Sequence, residues 1–171
     1  MATANDPRGL RRFVSKQLED HDRALRELKA GRKAGCWSWW VFPTPPFIKN
    51  GEHVGSPTNK IYELKDDAEG LAYLAFGELR SNYLAILSVM SASLEAGVEP
   101  RRLLGIDVPR AEASVRYFAH LATLGDGDEE LAAACQRARA LLKPPAKGGA
   151  ARSLLASSSS ARKRAHADGG E

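Results

Sequence analysis

All three tryptophans of the chain fall inside one short run, Cys36-Trp37-Ser38-Trp39-Trp40-Val41-Phe42-Pro43. Indole rings this dense can do one of two things. They can wall a pocket for a planar ligand such as a base, each ring offering a large apolar face and an N–H that seeks a partner. Or they can anchor a loop to a helical core. Side-chain alternation along an extended segment predicts that Trp37 and Trp39 pack inward while Trp40 turns the other way. Cys36 could act as a nucleophile only beside a base, and His21, His53 and His120 are too scattered to nominate one. With no nucleophile-elbow or cysteine-protease motif around it, Cys36 reads as a small buried thiol.

Other chemistry-bearing residues are sparser. Asp107 suits a helix N-cap, and Arg110 three residues on can pair with it or present a cation beside the helix N-terminus. His53 sits in the polar loop Asn50-Gly51-Glu52-His53 and reads as solvated. Gly125-Asp126-Gly127-Asp128 lacks the spacing of a phosphate-binding loop and the continuing ligand series of an EF-hand, so it reads as a turn. Cys36 and Cys135 form no CxxC pair or Cys/His cluster, which leaves no disulfide framework, no zinc site and no expected cofactor.

The elements that must position these residues are mostly helices. Asp6-Pro7 opens a helix whose apolar residues recur at Leu10, Phe13, Val14, Leu18, Leu25 and Leu28, and which stops at Gly31. From Arg32 to Lys60 the helical stripe gives way to aromatics, prolines and glycines, which predicts an ordered loop or short extended segment. Ser56-Pro57 caps a short helix through Tyr62. Asp66 or Asp67 opens a longer one to Ala96, with a break near Phe76-Gly77, and Gly70 and Gly77 weaken it. Further helices are predicted from Glu99-Pro100 to Leu104, from about Pro109 to Leu124, and from Glu129 to Leu142. The expectation is an all-α, single compact domain over residues 9–142, with an aromatic and proline-rich ordered loop between its first two helices. Residues 1–8 form a short N-terminal arm and helix cap.

The net charge of +4 belongs to the end of the chain: six basic residues from Lys143 onward face only two acidic ones, and residues 1–142 are formally neutral. A balanced domain does not offer the broad positive surface that phosphate backbones require. Residues 143–171 are rich in serine, alanine and glycine and carry few large apolar side chains, so they are expected to be a disordered basic tail. Within it, Arg162-Lys163-Arg164 has the composition of a nuclear import signal or an electrostatic nucleic-acid contact, alongside the plainer reading of a solvated charged tail. No leader h-region and no membrane-length apolar run is found, so the expected location is intracellular and cytoplasmic, with a nuclear location through that cluster as the alternative.

The tryptophan run resembles the signature of the domain of unknown function 1810 family, whose members carry a W-x-W-x-x-F-P core, here Trp37, Trp39, Phe42 and Pro43. Ser56, Tyr62, Glu69 and Ala72-Tyr73-Leu74 fit its next block. Asp107, Arg110, Ser114 and Phe118 fit its D-x-x-K-x-x-x-S-x-x-x-F pattern. The resemblance spans roughly Leu10 to Phe118 and implies a mainly helical domain with no established activity. Cys36 stands where a histidine is common, Thr44 where glutamine usually follows the proline, and Arg110 where lysine is frequent. The family's G-x-x-D-x-x-T-L ending is missing or replaced by the tail.

Three functional readings follow. In the first, Trp37, Trp39, Phe42, Pro43, Thr44, Ser56, Tyr62, Asp107, Arg110 and Ser114 converge on one aromatic cleft that binds a nucleotide-like or other small polar ligand, or a protein. In the second the domain is an enzyme on such a ligand, a hydrolase or glycosidase, with Asp107, Glu69 and His53 as acid/base nominees. In the third the tail alone contacts nucleic acid. None of them involves a membrane.

Overall fold

The computed structural model describes residues 5–143, and the readings made above for residues 144–171, including Arg162, Lys163 and Arg164, lie outside them. Over the described residues the chain is mostly helical. In order it forms α1 (Arg11–Lys29), α2 (Ser38–Val41), a hairpin of β1 (Phe47–Lys49) and β2 (Glu52–Val54), α3 (Pro57–Tyr62), α4 (Asp67–Leu74), α5 (Leu79–Glu95) and α6 (Pro100–Leu104). A 3₁₀ turn (Gly105–Asp107) then leads into α7 (Val108–Leu121), and α8 (Glu129–Leu142) follows. None of these helices is long and apolar enough to cross a membrane.

The helical expectation holds, with informative shifts at the boundaries. Both Asp6 carboxylate oxygens accept backbone N–H groups at the start of α1, from Leu10 at 2.7 Å and Arg11 at 2.9 Å. They do so from a turn that contains Pro7, so the helix begins four residues later than that proline suggests. The chain leaves α1 through Gly31 at φ +83°, a conformation open to glycine at no steric cost. The stretch expected as an ordered loop or short extended segment holds one turn of helix and a two-stranded antiparallel hairpin, in which Phe47 faces Val54 and Ile48 faces His53. Asn50 and Gly51 both take positive φ at its tip, the backbone that two-residue hairpin turns require.

The core runs through α1, α4, α5, α7 and α8. Phe13, Tyr73, Phe118 and Tyr83 form a chain of rings, edge to face at 5.1 and 5.4 Å and then stacked at 4.1 Å, all four buried. Gly70, expected to weaken its helix, also serves packing. A Cβ there would lie 2.6 Å from both Leu121 Cδ1 and Tyr117 Oη, so a larger residue would force these side chains of α7 to shift. Ion pairs fasten the outer edge of α5: Arg80 grips Asp128 and Glu130, and Arg137 grips Glu95.

Candidate functional site

The tryptophan segment is placed by its local helix. A helical turn brings residues three apart onto one face, so Trp37 and Trp40 are both buried and Trp39, between them, is left half-exposed. This reverses the inward assignment of Trp39 and the outward one of Trp40, which rested on an extended backbone. Trp37 is held by Glu27 of α1, whose Oε2 accepts its indole N–H at 2.8 Å and the backbone N–H groups of Ala34 and Gly35 at 2.7 and 2.9 Å. Burial pushes the Glu27 carboxyl pKa upward, but these donors together with Arg23 outweigh it and hold the group at about 2. Trp40 packs edge-on to Tyr62 at 5.2 Å, and its own indole N–H is buried without a partner among the described residues. Cys36, expected to be buried, is exposed.

The start of α7 meets this segment. Asp107 stands at the N-cap position but makes no side-chain cap. Its Oδ2 accepts instead from Ser38 Oγ at 2.6 Å and pairs with Lys33 Nζ at 2.7 Å, so it latches α2 and the end of α1 to α7. The expected Asp107–Arg110 pair is therefore replaced. Arg110 donates from Nη2 to Asn59 Oδ1 of α3 at 2.6 Å, and its guanidinium carbon lies 6.0 Å from the Trp39 ring centre and 5.8 Å from that of Phe47. Burial lowers the Arg110 pKa, and the field of Asp107 works in the opposite direction. Among the described residues no carboxylate lies within ion-pair distance of Arg110.

The ten residues expected at one cleft thus divide. Arg110 lies 6.0 Å from the Trp39 ring centre, while Asp107 turns to Ser38 and Lys33. Trp37 and Phe42 pack against each other in the core, with Pro43 and Thr44 also buried, and the Thr44 hydroxyl has no partner among the described residues. Ser114 is a core residue whose Oγ hydrogen-bonds Tyr83 Oη at 3.0 Å. Ser56 caps α3 by accepting from the Asn59 N–H, and Tyr62 fills the gap between Trp40 and Phe13.

The acid/base nominees are engaged as well. Glu69 is buried, paired with Arg12 at 2.9 Å and accepting the Lys65 N–H at 2.6 Å. His53 is exposed, as expected, and also bonds Glu63 at 2.7 Å, which pins the hairpin to the chain after α3.

Four residues of this face escaped the sequence reading: Lys33, Ser38, Phe47 and Asn59. Ser38 lay inside the run already singled out, and its i, i+3 frame would have exposed it had the run been read as helical. Lys33, Phe47 and Asn59 are brought in by tertiary contacts that no local pattern announces.

The model of a family described as "Protein of unknown function (DUF1810)" matches residues 7–136. The chain belongs to that family, as the tryptophan signature suggested. Among solved structures, the chain is similar to the crystal structure of the conserved hypothetical protein Rv1873 from Mycobacterium tuberculosis. The two are 26% identical, with a TM-score of 0.64 over 77% of this chain and 88% of that one. No curated protein matches.

Proposed function

We propose that this member of a family of unknown function is a binding module, and that its site is the face formed by Trp39, Phe47 and Arg110 with Asn59 behind them. One observation carries this reading: a half-buried guanidinium lies 6.0 and 5.8 Å from two aromatic ring centres, and its hydrogen bond goes to a neutral amide rather than a carboxylate. Withdrawing a cation from water is costly unless it is paired, and folded proteins pair such groups. A half-buried cation left without an anion is therefore arranged for one that arrives from outside.

The ligand class follows from the groups present. Guanidinium presents a planar fork of donors that fits phosphate or carboxylate oxygens, and Arg110 uses one of its nitrogens on Asn59. Trp39 and Phe47 flank that fork with faces suited to a planar group. A small molecule that joins a ring to a phosphate or carboxylate, in the manner of a nucleotide, satisfies both. Asp107 does not contact the ligand in this scheme. It holds Ser38 and Lys33, and through Ser38 it fixes the turn that carries Trp39.

Thermal unfolding in the presence of AMP, adenosine or inorganic phosphate tests the reading. AMP at about ten times its Kd should raise Tm on the order of 3 °C, with adenosine and phosphate each giving less. No shift with AMP or with any aromatic phosphate or carboxylate would count against a ligand site. A catalytic role draws no support from Asp107 or Glu69, whose carboxylates are already committed to Lys33 and Arg12.

A further inference from the structure

We infer that the groove between α1 and the junction of α4 with α5 is a second binding site, separate from the Trp39–Arg110 face, for an uncharged planar ligand with a hydrogen-bond donor beside an acceptor, such as a carboxamide or a nucleobase edge. The groove encloses about 840 Å³, within the usual range of small-molecule sites. None of the residues proposed for the Trp39–Arg110 face lines it.

Its floor is built from amides. Gln17, 4% exposed, spends its Nε2 on the Trp40 carbonyl at 2.9 Å and on Tyr73 Oη at 3.0 Å, and its Oε1 accepts from Asn82 Nδ2 at 3.0 Å. Those three bonds fix the Asn82 amide from behind. Among the described residues nothing takes up its Oδ1 or its second N–H, so a half-buried asparagine presents an acceptor beside a donor to the groove. Amide against amide, or amide against base edge, is the pairing that such a group forms.

The walls select further. Val14 and Phe76 supply apolar surface, and Leu18 is 83% exposed at the mouth, an apolar side chain that a bound ring would cover. His21 also lines the groove; burial lowers its pKa against the opposing pull of Asp22 and Glu78, so it stands neutral and adds one donor and one acceptor. Asp22 and Glu78 lie on the same lining against one basic residue, Arg11, so its charge is acidic on balance and favours a neutral ligand over an anion. The two sites therefore differ in character: the Trp39–Arg110 face calls for a negative group and this groove for an uncharged one.

NMR titration of the full chain with nicotinamide, adenine and nicotinate separates the outcomes. Nicotinamide and adenine should shift the Asn82 side-chain amide and the backbone signals of residues 75–79, and nicotinate, the isosteric anion, should bind at least tenfold more weakly. Leu18→Glu changes a solvent-exposed side chain and leaves the core intact, yet should weaken nicotinamide at least tenfold, as should Asn82→Leu. Shifts confined to Trp39 and Arg110, equal binding of nicotinate, retention of affinity in Leu18→Glu, or no shift with either neutral heterocycle would each overturn the inference.

Discussion

Ser38 Oγ donates to Asp107 Oδ2 over 2.6 Å, a contact between residues 69 apart in sequence that joins the tryptophan turn to the first turn of α7. Lys33 completes the latch from the end of α1 at 2.7 Å. Because Trp39 follows Ser38 and Arg110 lies one turn after Asp107, this latch sets the spacing between the aromatic and cationic halves of the proposed site.

That role separates the latch from a simple helix cap. If Asp107 acts through Ser38, then Ser38→Ala and Asp107→Ala should be non-additive, with a coupling of about 1–2 kcal/mol in a double-mutant cycle. Denaturant unfolding of the four proteins measures it. Additive losses would mean that Asp107 stabilises α7 independently of Ser38.

Two arginines should differ in how much they stabilise the fold. Arg12 bonds the carbonyls of Arg8, Gly9, Ile61 and Glu63 and pairs with Glu69, which is 2% exposed. Arg12→Met strands that carboxylate and should cost about 3–5 kcal/mol. Arg110→Leu removes a half-buried cation that has no ion-pair partner among the described residues, so its cost is confined to the hydrogen bond that buried Asn59 loses, about 1–2 kcal/mol. Equilibrium denaturation of both variants makes the comparison.

Much of the fold was legible because helices announce themselves locally. The apolar recurrence from Leu10 to Leu28, the Ser56-Pro57 start and the Asp128 turn each carry their own signal, and each marks an observed element to within a few residues. Asp66, one of two residues named for the start of α4, is its N-cap, with its carboxylate accepting the Glu69 N–H at 2.7 Å. The site was less legible. Four-residue α2 is too short for periodicity to reveal, so Trp39 and Trp40 were assigned to the wrong sides. Ser114, one helical turn beyond Arg110, looked equally available in sequence, yet the approach of α5 buries it against Tyr83. Arg110 was recognised as a candidate anion contact, but its Asn59 partner comes from a helix 51 residues away.

Glu27 links the tryptophan turn to pH. Its folded pKa of about 2 lies below the ordinary 4.5, so the stability it contributes is present above pH 4.5 and is lost as pH falls toward 2. Glu27→Gln should therefore cost about 1–3 kcal/mol near neutral pH and progressively less on acidification. Urea unfolding followed by tryptophan fluorescence near neutral pH and at about pH 3 checks this. A mutant deficit that does not shrink at low pH would contradict the hydrogen-bonded carboxylate.

Thr44 offers a test of a buried hydroxyl. Its Oγ1 has no partner among the described residues and the side chain is 1% exposed. Thr44→Val keeps the shape, removes the stranded polar atom, and should raise stability by about 1 kcal/mol. Thermal unfolding of the variant decides it, and a loss of stability would show that the hydroxyl is used.

Calorimetric titration of AMP into the parent, Arg110→Leu and Trp39→Ala tests the proposed site most directly. Binding in the parent should weaken at least tenfold in each variant, about the 1.4 kcal/mol or more of a charge-assisted hydrogen bond or a stacked ring, while both variants keep the parent's fold by circular dichroism. AMP affinity unchanged by Arg110→Leu, or no heat in the parent, would contradict the assignment of Arg110 as a cation held for an incoming anion.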